Sequence, residues 1–174
     1  HVLETLSQYT QLGIWSVLLF VLFGILLTVV VQSSSATMAL TLLMCANGWI
    51  DFTMAAAMVL GENVGTTITA VVAASVGNVS ARQTALFHLV FNVLGVVWVI
   101  LLFTPFLHLV DRMALESGIG SPILDPSKAP IALSLFHTSF NVVNTLVMFW
   151  FTPQLVALVK RILPQKETED EEYR

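Results

Sequence analysis

From Thr5 to Ala81 the chain carries no Lys or Arg, and Asp51 and Glu62 are its only acids there. Residues 12–31 form an uncharged run of twenty, long enough to cross a hydrocarbon core of about 30 Å as one helix. In lipid, backbone polar groups find no water and must be satisfied internally, so an uncharged stretch of this kind is restricted to helices or a closed barrel. The chain is 56 % hydrophobic and only 10 % charged, whereas a soluble domain carries about 25 % charged residues. The pattern predicts an all-α integral membrane protein whose main partner is the lipid bilayer. With seven Lys and Arg against eleven Asp and Glu, nothing marks a nucleic-acid partner.

The apolar pattern is interrupted in a particular way. After residue 31 come Gln32, Ser33, Ser34 and Ser35, then an apolar piece at 36–46 that reaches only part-way across a bilayer. NGWID at 47–51 is a turn signal with an interfacial Trp49. A second half-length piece follows at 52–60, then GENVGTT at 61–67, a third short piece at 68–76, and GNVS at 77–80 as a turn. Residues 32–77 are thus expected to be re-entrant half-helices joined by polar breaks.

Two longer helices are expected at 81–110, with Pro105 near its end, and at 130–151, opened by Pro130. A Gly- and Pro-containing loop at 111–129 joins them, and Pro153 precedes a short amphipathic end. The membrane domain is assigned to residues 1–163, with 1–11 at the interface and 164–174 as an acidic tail holding five of the eleven acids. Arg82 starts the first long helix, and Lys160, Arg161 and Lys166 follow the second, so these cations share one side. The positive-inside rule makes that side, and the C-terminus, cytoplasmic. The first apolar run lacks the basic leader of a signal peptide. A start at His1 reads as a piece of something longer.

A helix broken within a membrane implies a site, because its freed backbone groups need protein or a water-filled cavity. Helix N-termini present unpaired N–H groups and partial positive charge, which suits an anion without any Lys or Arg. Ser33, Ser34 and Ser35 lead into one half-helix. Asn63, Thr66 and Thr67 lead into another, with Gly61 and Gly65 permitting tight turns. Hydroxyls and carbonyls at the breaks can also ligate a small cation such as Na+. Gln32, Ser35, Glu62, Asn63 and Thr66 are the candidate cation ligands. Glu62 is the ionisable residue deepest in this region and is a functional candidate by default.

An internal repeat adds a further feature: FHLVFNV at 87–93 recurs as FHTSFNV at 136–142. Each places His and Asn four apart on one helical face, His88 with Asn92 and His137 with Asn141. The expected role is helix packing through interhelical hydrogen bonds. Two histidines alone are a weak metal signal. A serine hydrolase is disfavoured by the lack of a Gly-x-Ser-x-Gly elbow. Cys45, the single cysteine, is read as a small buried hydrophobe.

QSSSAT at 32–37, GENVGTTITA at 61–70, ALFHLVFNVLG at 85–95 and LFHTSFNVVNTL at 135–146 together resemble the sodium–phosphate cotransporter family, over residues 12–163. The resemblance implies two inverted repeats, each with a Gln-Ser-Ser-Ser segment in a re-entrant hairpin, meeting to bind phosphate and Na+. The residues that match are Gln32, Ser33, Ser34, Ser35, Gly61, Asn63, Gly65, Thr66 and Thr67. Gln32 to Ser35 with Asn63, Gly65, Thr66 and Thr67 are then the phosphate candidates. Bacterial members often continue into a cytoplasmic PhoU-like helical domain, which would follow the tail from Pro164. A bacterial plasma membrane is the implied location.

The chain departs from that pattern in three ways. It holds a single Gln-Ser-Ser-Ser segment, matching one repeat, the second half of a transport unit. Glu62 stands where a small residue is usual. No PhoU-like domain is present. The expected function is sodium-coupled phosphate symport with no enzymatic step and no cofactor beyond Na+ as coupling ion. This chain would supply half of the site, and the missing repeat or a second copy the rest. The alternative is an anion-binding membrane sensor or assembly domain that does not transport.

Overall fold

The computed structural model describes residues 13–165, and its regular structure is entirely helical. The expected interfacial segment at 1–11 and the acidic residues 166–174 lie outside the described residues. In chain order the helices are α1 (Ile14–Val31), α2 (Ser34–Ala46), α3 (Phe52–Ala74), α4 (Val79–Leu101), α5 (Phe103–Glu116), a 3-10 turn (Pro126–Lys128), α6 (Ala129–Phe149) and α7 (Thr152–Ile162). α1, α3, α4 and the Pro126–Phe149 segment are long and apolar enough to cross a membrane. At 13 residues α2 reaches about 20 Å and does not.

The break after α1 is where the sequence places it. Gln32 closes α1 in the left-handed conformation, with φ 55° and ψ 25°, and its N–H bonds the Thr28 carbonyl. A non-glycine residue there costs about 1–2 kcal/mol. Ser33 is extended and caps α2, its hydroxyl accepting from the Ala36 N–H at 3.3 Å. The Ser33 carbonyl also accepts from the Thr37 N–H and from the Thr37 hydroxyl at 2.9 Å.

The second expected break does not exist. α3 runs unbroken from Phe52 to Ala74 through GENVGTT. Its polar side chains bond back onto their own helix: Asn63 Nδ2 to the Val59 carbonyl at 2.9 Å, Thr66 Oγ1 to the Glu62 carbonyl at 2.8 Å, Thr67 Oγ1 to the Val64 carbonyl at 2.6 Å. Such bonds are compatible with a continuous helix. Gly61 and Gly65 serve close approach rather than a turn. A Cβ on Gly61 would collide with the Val21 carbonyl oxygen, and one on Gly65 would stand 2.7 Å from Thr28 Cβ. Gly24 faces the Met58 carbonyl in the same way.

These contacts advance together along both helices, from Val21 with Gly61 to Thr28 with Gly65, so α1 and α3 run parallel. α2, joined to α1 through Gln32 and Ser33, therefore doubles back along α3, and Thr41 in α2 meets Glu62 in α3. α3 is the central helix, with Ala55 to Leu60 fully buried. Its start is capped by Asp51, whose carboxylate accepts from the Met54 N–H at 2.8 Å. Asn78 caps α4 by the same means.

The long helix expected at 81–110 is two helices. α4 ends at Leu101, Leu102 departs to φ −112° and ψ 28°, and Pro105 sits in the first turn of α5, where a missing N–H costs little. α5 then extends to Glu116, into the expected loop, and stops before Gly118 and Gly120, both at positive φ. Pro130 does open α6, and Pro153 opens α7. α4 and α6 meet through a polar contact, Trp98 Nε1 donating to Asn144 Oδ1 at 3.1 Å, with the Asn144 amide against Gly95. α5 packs on α6 through Phe106 and Phe136, edge to face at 5.4 Å. Gln83 of α4 donates to the Leu163 carbonyl at 2.7 Å, so Arg82 and the Lys160–Arg161 end lie at the same end of the molecule.

The α1–α3 contact yields a direct test. Gly61→Ala forces the two backbones apart, and overpacking of this kind costs about 1–3 kcal/mol. A clear drop in unfolding temperature in detergent micelles is expected. An unchanged temperature would show that the contact contributes nothing to stability.

Candidate functional site

One cavity gathers most of the polar residues that the sequence singles out. It measures about 350 Å³ and is lined by α2, α3, α4 and α6. From α2 come Ser34 and Ser35 in the first turn and Met38 one turn on. From α3 come Glu62, Asn63 and Thr66, which share a face of an unbroken helix. His88 and Asn92 enter from α4, and His137 and Asn141 from α6. Among the described residues no Lys or Arg lines the cavity.

Of the expected phosphate candidates, Ser34, Ser35, Asn63 and Thr66 line this cavity, and Gln32, Ser33, Gly65 and Thr67 do not. Gln32 and Ser33 form the reversal itself. Gly65 packs against Thr28, and Thr67 is fully buried on the inner side of α3. Of the expected cation ligands, Ser35, Glu62, Asn63 and Thr66 reach the cavity, and Gln32 does not. Because α3 is continuous, a helix N-terminus at residue 68 is absent, and α2 alone presents one here.

Glu62 is only 4 % exposed. Thr41 Oγ1 donates to its Oε1 at 2.5 Å. Thr41 is not among the sequence candidates, although a signal for it exists. Thr37 and Thr41 stand four apart on an apolar helix and are both fully buried, as two hydroxyls on one inward face would be. Met38 is also missing from the candidates, and an isolated Met in an apolar run carries no distinguishing mark.

The His and Asn stripes differ from expectation. They do not bond between helices. Instead Asn92 Nδ2 donates to the His88 carbonyl at 3.0 Å and Asn141 Nδ2 to the His137 carbonyl at 2.9 Å, each within its own helix. All four side chains face the cavity. The interhelical polar bond falls to Trp98 and Asn144, the latter three residues past the stripe.

The chemistry available is that of hydroxyls, amides, imidazoles, one carboxylate and one helix N-terminus. The α2 N-terminus with Ser34 and Ser35 offers neutral donors to an anion. The Glu62 carboxylate with neighbouring hydroxyl and amide oxygens is a set of hard oxygen ligands suited to an alkali cation. Among the described residues no three His, Cys, Asp or Glu side chains group to hold a metal.

Known proteins are similar to this chain over most of its length. The family model described as Na+/Pi-cotransporter matches residues 3–120. The uncharacterized protein YqeW of Bacillus subtilis (strain 168) is 38 % identical over 152 residues, covering 87 % of this chain and 45 % of that protein. A protein of Escherichia coli (strain K12), named provisionally as the inorganic phosphate export protein YjbB, is 32 % identical over 158 residues, covering 91 % of this chain and 27 % of that one. The sodium-dependent phosphate transport protein 2B of Homo sapiens is 37 % identical over 144 residues, covering 79 % of this chain and 18 % of that one. No solved structure matches the chain significantly. The chain thus spans less than half the length of each of these relatives. With the family match extending over more than half of its residues, this integral membrane chain belongs to the Na+/Pi-cotransporter family.

Proposed function

We propose that this chain forms one half of a sodium-coupled phosphate transporter and that the cavity between α2, α3, α4 and α6 is its contribution to the phosphate site. The observation that carries this reading is the convergence of Ser34 and Ser35, at the N-terminus of α2, with Asn63 and Thr66 on one cavity wall without any Lys or Arg. Such a wall recognises a hydrated tetrahedral anion by neutral donors and releases it again, as transport requires. Glu62, with Ser35 and Thr66 nearby, serves as the cation side of the same cavity. A carboxylate beside an anion is tolerated when Na+ or a proton neutralises it, which couples the two ligands.

The missing half comes from the remainder of a longer chain or from a second copy, in keeping with the greater length of the relatives. The α2 hairpin, joined to α1 through Gln32 and Ser33 and to α3 through the turn at 47–51, is the element that moves against α4 and α6 for alternating access. The chain's likeness to a named sodium-dependent phosphate transport protein supports sodium-coupled phosphate movement, and its likeness to a named phosphate exporter supports outward movement through the same machinery. The site of action is the bacterial plasma membrane, with the Arg82 and Lys160 end cytoplasmic and a PhoU-like helical domain as a cytoplasmic partner. No covalent step is involved.

Uptake of radiolabelled phosphate by the full-length protein in proteoliposomes tests this. Uptake driven by a Na+ gradient is expected. Phosphate binding without uptake would instead favour a sensor. Ser34→Ala removes one hydrogen bond to a charged ligand, worth about 1.5 kcal/mol, so the phosphate KM should rise about tenfold. An unaltered KM removes Ser34 from the site.

Glu62 is tested separately. Glu62→Gln keeps the Thr41 contact possible and deletes the negative charge. The Na+ concentration for half-maximal uptake should rise severalfold, by roughly the worth of one charged ligand contact. If Na+ activation is unchanged, Glu62 is not a cation ligand.

A further inference from the structure

The proposed site has an electrostatic difficulty that its histidines resolve. The cavity already holds the Glu62 carboxyl, and phosphate brings at least one full negative charge. Like charges in a confined site disfavour each other unless positive charge enters with them. Of the residues lining the cavity, His88 and His137 alone can become cationic. They sit on different helices, α4 and α6, in the two copies of one repeated motif. In both copies the Asn four residues on donates to the histidine's own carbonyl, so the amide is engaged away from the ring. Among the described residues neither imidazole has a hydrogen-bond partner. His88 is exposed and His137 half-buried, and both line the cavity from α4 and α6. An imidazole held on a cavity wall without a partner keeps its ring N–H groups available to a ligand.

The titratable and charged groups facing this pair are few. α3 contributes Glu62, and α2 contributes Ser34, Ser35 and Met38 but nothing that ionises. Lys160 of α7 lines a separate groove with Ser80 and Gln83.

We propose that His88 and His137 are the proton-linked arm of the phosphate site, each donating a ring N–H to a phosphate oxygen and taking up a proton as the anion binds. This rests on the phosphate reading of the cavity. A bound anion favours imidazolium, so binding raises the histidines' affinity for protons. By linkage, phosphate then binds more tightly at low pH than at high pH. Phosphate's own ionisation affects wild type and variants alike, so the difference between them isolates the histidines. The device lets one cavity switch from capture to release on a proton.

The test is equilibrium binding of radiolabelled inorganic phosphate to the full-length protein in detergent micelles at pH 6, 7 and 8. A nearby opposite charge shifts an ionisation by about one unit or more, equivalent to about tenfold in affinity. His88→Gln and His137→Gln should therefore each weaken binding about tenfold at pH 6 and only slightly at pH 8. A loss that is equal at every pH, or no loss, overturns the proton-linked role. Wild-type protein that binds no phosphate at any pH overturns the phosphate reading and this proposal with it. A second measurement needs no variant: carbethoxylation by diethyl pyrocarbonate, read at each histidine by mass spectrometry. Phosphate should slow modification of His88 and His137 and leave His108, which lines a different cavity on α5, unaffected. Equal rates at His88 and His137 with and without phosphate overturn the proposal.

Discussion

The closeness of α1 to α3 determines the placement of the other helices and of the cavity between them. Helices in lipid gain little from burying apolar surface, since the lipid is equally apolar, and associate instead where small residues let backbones touch. Gly24, Gly61 and Gly65 form that contact, each against backbone or Cβ atoms of the facing helix. The contact holds α1 and α3 parallel. α2 is tied to α1 by two residues and to α3 by the turn at 47–51, so it has no course but back along α3. That course brings Thr41 to Glu62 and places Ser34 and Ser35 opposite Thr66. The polar cavity is thus a consequence of an apolar packing contact on the far side of the same central helix.

The helical class, the reversal at Gln32 and the faces of the two His–Asn stripes are legible in the sequence because each rests on local pattern. An uncharged run of membrane length permits little else, four polar residues within it mark an interruption, and a spacing of four defines a face. The GENVGTT segment misleads for a physical reason. Glycine has two uses, φ freedom and lack of bulk, and hydroxyl residues have two as well, capping a helix or bonding back within it. The choice depends on what stands opposite, and the backbone of Val21 and Ile25 is about forty residues away in sequence. Likewise the stripes announce a face but not the direction in which it points. Packing around α3 decides that both look into the cavity.

Asn144 illustrates the same limit from the other side. It follows Asn141 by three residues, so the two amides lie on neighbouring parts of one helix. One faces the cavity and bonds back to its own helix. The other meets Trp98 across the interface, with Gly95 making room. The two have the same chemistry and different roles, and the difference is set by the partner on α4 rather than by anything in the motif.

The continuous α3 also changes how an anion can be held. With two broken helices, two N-terminal dipoles would converge and supply positive potential without ionisable groups. With one, half of that potential is gone, while the Glu62 carboxyl remains 4 % exposed beside the cavity. The deficit falls in the region faced by His88 and His137 of α4 and α6. A fixed Lys or Arg there would bind an anion and hold it. If the cavity is the phosphate site proposed above, an imidazole there can carry charge while the anion is bound and lose it on release.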